Sequence, residues 1–152
     1  MKNEPVEKLL WSIALPGFGQ LLNGKLIKGL LLIILEFLIN IKANLNAIII
    51  LSFQGEITQS IAQTNYAWLM FYPCVYLFAI WDAYKDAGGG KEPFSYLPFV
   101  FSAYFGTIGV IYSSIFSIQG IMLGPVWLSI IFLLVGASFG SVVKILLLTI
   151  YK

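Results

Sequence analysis

Leu15-Pro16-Gly17-Phe18-Gly19-Gln20-Leu21-Leu22-Asn23-Gly24-Lys25-Leu26-Ile27-Lys28-Gly29 separates an apolar run too short to cross a bilayer from one long enough to do so. Residues 9–22 offer about 14 positions, where a spanning helix needs about 20. Pro16 removes a backbone donor, and Gly17 and Gly19 admit turns, so a helix here must break in its middle. The segment therefore reads as a short re-entrant or interfacial helix followed by a tight turn. Gln20 and Asn23 can hydrogen-bond the backbone groups that a broken helix leaves unpaired. Gly17, Gly19, Gly24 and Gly29 allow sharp turns and close helix approach, and Lys25 and Lys28 can extend to headgroup phosphates.

The composition gives the same environment. Of 152 residues, 59% are hydrophobic, 16% aromatic and 11% charged, against roughly 45–50% apolar and about 25% charged in soluble domains. A soluble chain of this size could not hide that much apolar surface, so lipid is the expected solvent for most of it. The nine basic residues are all Lys, without the Arg-rich basic face that nucleic acid would require. Cys74 lies alone in an apolar segment and reads as a small buried hydrophobe. No cleavable signal peptide is expected, because Pro16-Gly17-Phe18-Gly19 stands where small cleavage-site residues should.

The expected fold is all-α integral membrane, with four transmembrane helices plus the re-entrant segment, in one membrane domain over residues 1–152. Span 1 is placed at 26–53 as one long helix of about 28 residues, near 42 Å, with a break around residues 42–46 as the alternative. Residues 54–65 are polar. Span 2 covers 66–84, with aromatic anchors at both ends and a kink at Pro73. Residues 85–93 form a loop around the Gly88-Gly89-Gly90 triplet. Span 3 covers 94–118, a brief turn follows at Gln119-Gly120, and span 4 covers 125–150. This order puts Lys2, Lys8, Lys25, Lys28, Lys85, Lys91 and Lys152 on one side, Lys144 near it, and Lys42 toward the other. The asymmetry predicts a multi-pass protein with both termini cytoplasmic.

Pro16, Gly17, Gly19, Gln20, Asn23, Gly24, Lys28 and Gly29 together resemble the Pro-Gly-x-Gly-Gln-x-Tyr-Asn-Gly-x-x-x-Lys-Gly segment of small bacterial membrane proteins related to the TM-two domain, a two-helix transmembrane hairpin. Leu22 replaces the usual Tyr. Trp81-Asp82-Ala83-Tyr84-Lys85 is similar to the aromatic-Asp-aromatic-basic close of that family's second helix. The resemblance covers residues 9–85, with a long stretch between the two helices, and leaves 93–152 outside it. It implies an architecture and little about activity. It also implies one contact: Asp82 should pair with Lys25 or Lys28, or cap the Gly/Asn turn.

Glu36 is the one carboxylate deep in a span, and Asn40 and Asn44 follow at spacings of four, which on a helix makes a polar stripe. The stripe reads either as packing against polar groups of a neighbouring helix or as an ion or proton path. Gly136 and Gly140, with Ser102, Gly106 and Gly109 on the preceding helix, set small residues where helices can approach closely in lipid. Packing of the last two helices on each other is expected ahead of a dimer interface.

The sequence holds no His, no cysteine cluster, no close carboxylate pair and no phosphate-cradling loop with a following Ser or Thr, so neither catalysis, metal nor cofactor is expected. A Glu36/Asp82 acid–base pair would be separated by about 15 Å of helix. The expected role is a non-enzymatic accessory or scaffold subunit of a larger membrane system, with the lipid bilayer and a membrane-protein partner or a second copy as its contacts. The alternative is a small channel or transporter component with a path at Glu36, Asn40 and Asn44. The all-Lys, Ile-rich composition is that of a low-GC bacterial chain, which points to the plasma membrane.

Overall fold

A computed structural model describes residues 4–151; Lys2 and Lys152, used above in the charge count, lie outside the described residues. The chain is mostly helical, as the sequence predicts. Helix α1 (Glu4–Ala14) opens with Glu4 and Glu7 in its first turn, where carboxylates oppose the positive end of the helix dipole. It ends before Leu15-Pro16, because the residue ahead of a proline is pushed out of the helical region. Gly17 then turns the chain at φ 97°, and α2 (Phe18–Leu22) starts immediately.

Helix α2 stops in a Schellman cap. Lys25 N donates to Gln20 O (2.9 Å) and Gly24 N to Leu21 O (2.9 Å), with Gly24 at φ 74°. Helix α3 (Leu26–Ala43) follows. It does not continue to residue 53: Asn44 adopts a left-handed conformation at φ 60°, and α4 (Leu45–Phe53) begins on its far side. This corrects the long-helix reading of 26–53. Asn is one of the few residues with a side chain that tolerates this region. The break is held by Asn65 N donating to Ala43 O (3.3 Å) and Asn44 Nδ2 to Gln63 O (3.3 Å).

Helix α4 ends in a second Schellman cap at Gly55 and folds back as α5 (Ile57–Gln63). Ser60 Oγ donates to Ile48 O (3.1 Å) and meets Ser52 Oγ at 2.9 Å. Leu45 and Ile48 share an apolar cluster with Val126, while the rings of Phe53 and Trp127 meet at a tilt with centroids 4.6 Å apart.

The expected span over 66–84 is also divided. A single turn, α6 (Tyr66–Leu69), precedes α7 (Tyr72–Asp86). Pro73 sits in the first turn of α7, where its missing N–H removes nothing, so it starts a helix instead of kinking one. Helix α8 (Leu97–Tyr112) is shorter than the 94–118 expected. Residues beyond it form a two-residue antiparallel ladder, β1 (Ser117–Ile118) and β2 (Ile121–Met122), around Gln119 and Gly120, both at positive φ. Helix α9 (Gly124–Ile150) then runs for 27 residues, about 40 Å.

Helix α8 packs along α9 and against α7; α1 and α2 lie on α7, and α2 also touches α3. The main apolar cluster joins Ile39, Ala43, Leu45, Ile48, Leu69, Val110 and Val126. Among the described residues, α9 is the one helix long and apolar enough to cross a bilayer by length and composition, and only 11% of its most apolar stretch is buried in the molecule. Helix α3 has 18 residues but carries Lys28, Glu36 and Lys42.

Candidate functional site

The polar residues of the Pro16–Gly29 corner converge on one face of α7. Gln20, fully buried, donates both amide hydrogens: Nε2 to Ala79 O at 2.8 Å and to Asp82 Oδ2 at 3.0 Å. Asn23 Nδ2 donates to Ala83 O at 2.8 Å. Lys28 Nζ bridges two carboxylates, Asp82 Oδ1 and Asp86 Oδ2, each at 2.8 Å. Asp82 therefore pairs with Lys28, one of the two lysines the resemblance offered, and also receives Gln20.

Each of these side chains has a local reason for its position. The Schellman cap after α2 turns the chain so that Gln20 and Asn23 lie one helical turn apart on the side facing α7. Lys28 is in the first turn of α3, antiparallel to α7. Glycine makes the approach possible. A Cβ on Gly17 would stand 2.5 Å from Gly29 O, and one on Gly19 would stand 2.5 Å from Lys8 O and 2.7 Å from the Ala83 methyl. Pro16 and Gly29 are buried in the same contact, whereas Gly24 is exposed and serves only the turn.

Tyr76 Oη donates to Ile13 O at 2.8 Å, fixing the end of α1 two turns along α7 from Asp82. Helix α1 thus runs toward the middle of the bundle, the chain reverses at Pro16-Gly17, and α2 returns to the level of Asp82. Helices α1 and α2 thus form a helix–turn–helix pair packed on α7.

The sequence reading did not include Asp86, the carbonyls of Ala79 and Ala83, or Tyr76. A signal was present: Ala79, Asp82, Ala83 and Asp86 recur at three- and four-residue spacing and so share one helix face.

Glu36 and Asn40 lie four apart on α3, and Asn44 is the residue that caps its end. Asn44 lies off the helix in its left-handed turn, and Asn40 Nδ2 donates to Asn46 Oδ1 at 3.0 Å. Glu36 is 8% exposed, its carboxyl facing Tyr72 and Tyr76 of α7, and its Oε2 has no hydrogen-bond partner among the described residues.

The small residues of the hairpin meet within the chain. A Cβ on Gly136 would collide with Phe101 O, and one on Gly140 would stand 2.6 Å from Leu97 O. Gly106 accommodates Leu133, and Ser102 Oγ donates to Leu133 O at 2.8 Å. Cys74 is exposed, not buried as its apolar context suggested. Lys144 Nζ pairs with Glu92 Oε2 at 2.7 Å, and the lysine holds this carboxyl below the usual carboxylate range.

No group of three or more His, Cys, Asp or Glu side chains able to hold a metal occurs among the described residues. What the corner can do chemically is fasten three helix ends through amide and ammonium donors. No protein-family model, curated protein or solved structure matches the chain.

Proposed function

We propose that this chain is a multi-pass membrane protein that acts as a non-enzymatic accessory or scaffold subunit of a larger membrane system. Its crossings are α3, α6 with α7, α8 and α9, and α1–α2 is a re-entrant pair. The observation that carries the membrane assignment is the outward face of α9, a 27-residue apolar helix on which Ile130, Ile131, Leu134, Val135, Val142 and Leu146 stay exposed. In water such a surface would drive aggregation, and in lipid it is solvated. The resemblance of the corner to the TM-two segment supports the same architecture.

The orientation follows from the lysines. Lys28 meets Asp82 and Asp86, and Lys144 meets Glu92, while Lys25, Lys85 and Lys91 adjoin those contacts in sequence. Lys42 is about 21 Å along α3 from Lys28. The Lys-rich end faces the cytoplasm, and both termini lie on that side. The scaffold assignment rests on the corner, whose amide and ammonium donors are engaged with α7 and leave no reacting group there.

The test has two stages. In a Cys74→Ser background, single cysteines at Lys91 and Gln59 should be labelled by an impermeant maleimide from opposite sides of the membrane. Crosslinking in native membranes should then recover a heterologous membrane protein in stoichiometric amount. Labelling of both positions from the same side overturns the topology, and recovery of self-crosslinked chains alone overturns the accessory role.

A further inference from the structure

An apolar cavity of about 260 Å³ lies between α4, α7, α8 and α9, with Tyr72, Tyr76, Val126 and Ser129 on its walls. Ile49 and Ile130 line it too, yet are 36% and 38% exposed, so the cavity opens sideways between α4 and α9. The volume is well above the ~10–15 Å³ that one water requires, and a dry apolar cavity of ~150 Å³ already admits a benzene-sized guest.

Polar occupants find few groups to bind there. The Tyr76 hydroxyl donates to Ile13 O, the Ser129 hydroxyl to Pro125 O, and the Tyr72 hydroxyl faces Glu36. No charged side chain lines the space. Water entering would need two to four polar partners, and the Tyr76 and Ser129 hydroxyls already spend their protons elsewhere.

The position of the mouth selects the occupant. On α9 the lining residues run from Pro125 to Leu133, in the first third of a helix whose far end carries the Lys144–Glu92 pair. Ser129 is about 8 Å and Leu133 about 14 Å from the start of that helix. In a bilayer this is the acyl-chain depth of the leaflet opposite the Lys-rich end, where lipid tails are the only abundant solvent.

We infer that this lateral cavity holds one acyl chain of a phospholipid from that leaflet, seated between α4 and α9. The inference rests on the membrane assignment above. It goes beyond it by naming a bound lipid at a fixed site.

To test it, membranes expressing the protein are first washed with carbonate. The protein is then purified into nanodiscs of phosphatidylethanolamine and phosphatidylglycerol, released in mild detergent and weighed intact. One phospholipid mass should remain per chain. Val126→Phe fills the interior, and Ile130→Trp blocks the mouth from a position outside the core. Each should lower the retained lipid at least ~10-fold, as expected for losing contact with a few buried methylenes, with helicity unchanged by circular dichroism.

A wild-type chain that carries no lipid, or carries a free fatty acid in its place, overturns the inference, as does equal retention in Ile130→Trp. A chain that leaves the membrane in carbonate fails earlier and removes the membrane assignment itself, so the two failures are distinct.

Discussion

At the corner, Gln20, Asn23 and Lys28 reach α7 across 54 to 62 residues of sequence with amide and ammonium donors. In the α8–α9 hairpin, Gly136 and Gly140 bring backbone against backbone, and Ser102 Oγ to Leu133 O is a polar link between the two helices. The difference follows from helix length and surroundings. A five-residue helix such as α2 cannot sustain itself, since helix nucleation is unfavourable and short helices are marginal. Directional hydrogen bonds must hold it in place. Helices α8 and α9 sustain themselves and need only fit, so their contact is a matter of removed side chains.

Overpacking the hairpin should give the largest effect. Gly136→Leu places a branched side chain against the Phe101 carbonyl and forces α8 and α9 apart. We expect a loss of about 3 kcal/mol, read as lowered thermal stability in detergent. Stability within ~0.5 kcal/mol of wild type, the range of an ordinary surface substitution, would mean that the close approach is dispensable.

At the corner, Gly17→Ala meets both the positive φ of 97° and the nearby Gly29 carbonyl. About 2 kcal/mol should be lost, since a side chain in that backbone region is itself strained. Gln20→Ala leaves Ala79 O without its buried donor and should cost about 1–2 kcal/mol. The two corner variants should also free α1, which limited proteolysis would detect as cleavage near residue 15. The hairpin variant should leave that site protected, and cleavage in all three would erase the distinction between the regions.

The smallest effect belongs to Glu92 and Lys144, which tie the loop before α8 to α9. The Glu92 carboxyl is held below its ordinary value of 4.5 by the lysine. The pair therefore adds stability above about pH 4.5, and this is lost as the pH falls through the lower folded value. Wild type and Lys144→Gln should differ by a constant amount at neutral pH and converge in acid. Parallel curves down to the lowest accessible pH would remove the pair from the account.

The stop at the corner was legible in the sequence because its signal is local, Pro16 with Gly17 ending a helix; that the helix begins at Glu4, ahead of residue 9, and that a second short helix, α2, follows before Asn23-Gly24 was not. The pairing of Asp82 with Lys28 was reachable only through the resemblance, since no local pattern ties positions 54 apart. The break at Asn44 was legible only as the alternative to one long helix, because Asn inside an apolar run reads equally as a polar spot on a helix, and the break is held by Asn65 and Gln63 across the turn. Pro73 was read as a kink when it begins a helix, a choice fixed by where α6 ends.

The sequence separation of the corner contacts also sets an order of events during synthesis. When residues 4–43 have emerged, Gln20, Asn23 and Lys28 have no partners, because Ala79, Asp82, Ala83 and Asp86 are still to be made. The α1–α2 pair can dock only once α7 has been made, and such long-range closure is slow. The α8–α9 contact joins consecutive helices, with Ser102 and Leu133 only 31 residues apart, and can form as soon as its second helix is complete. Residues 4–29 thus stay unfastened until α7 arrives, and in that interval Gln20, Asn23 and Lys28 lack the acceptors they meet in the fold.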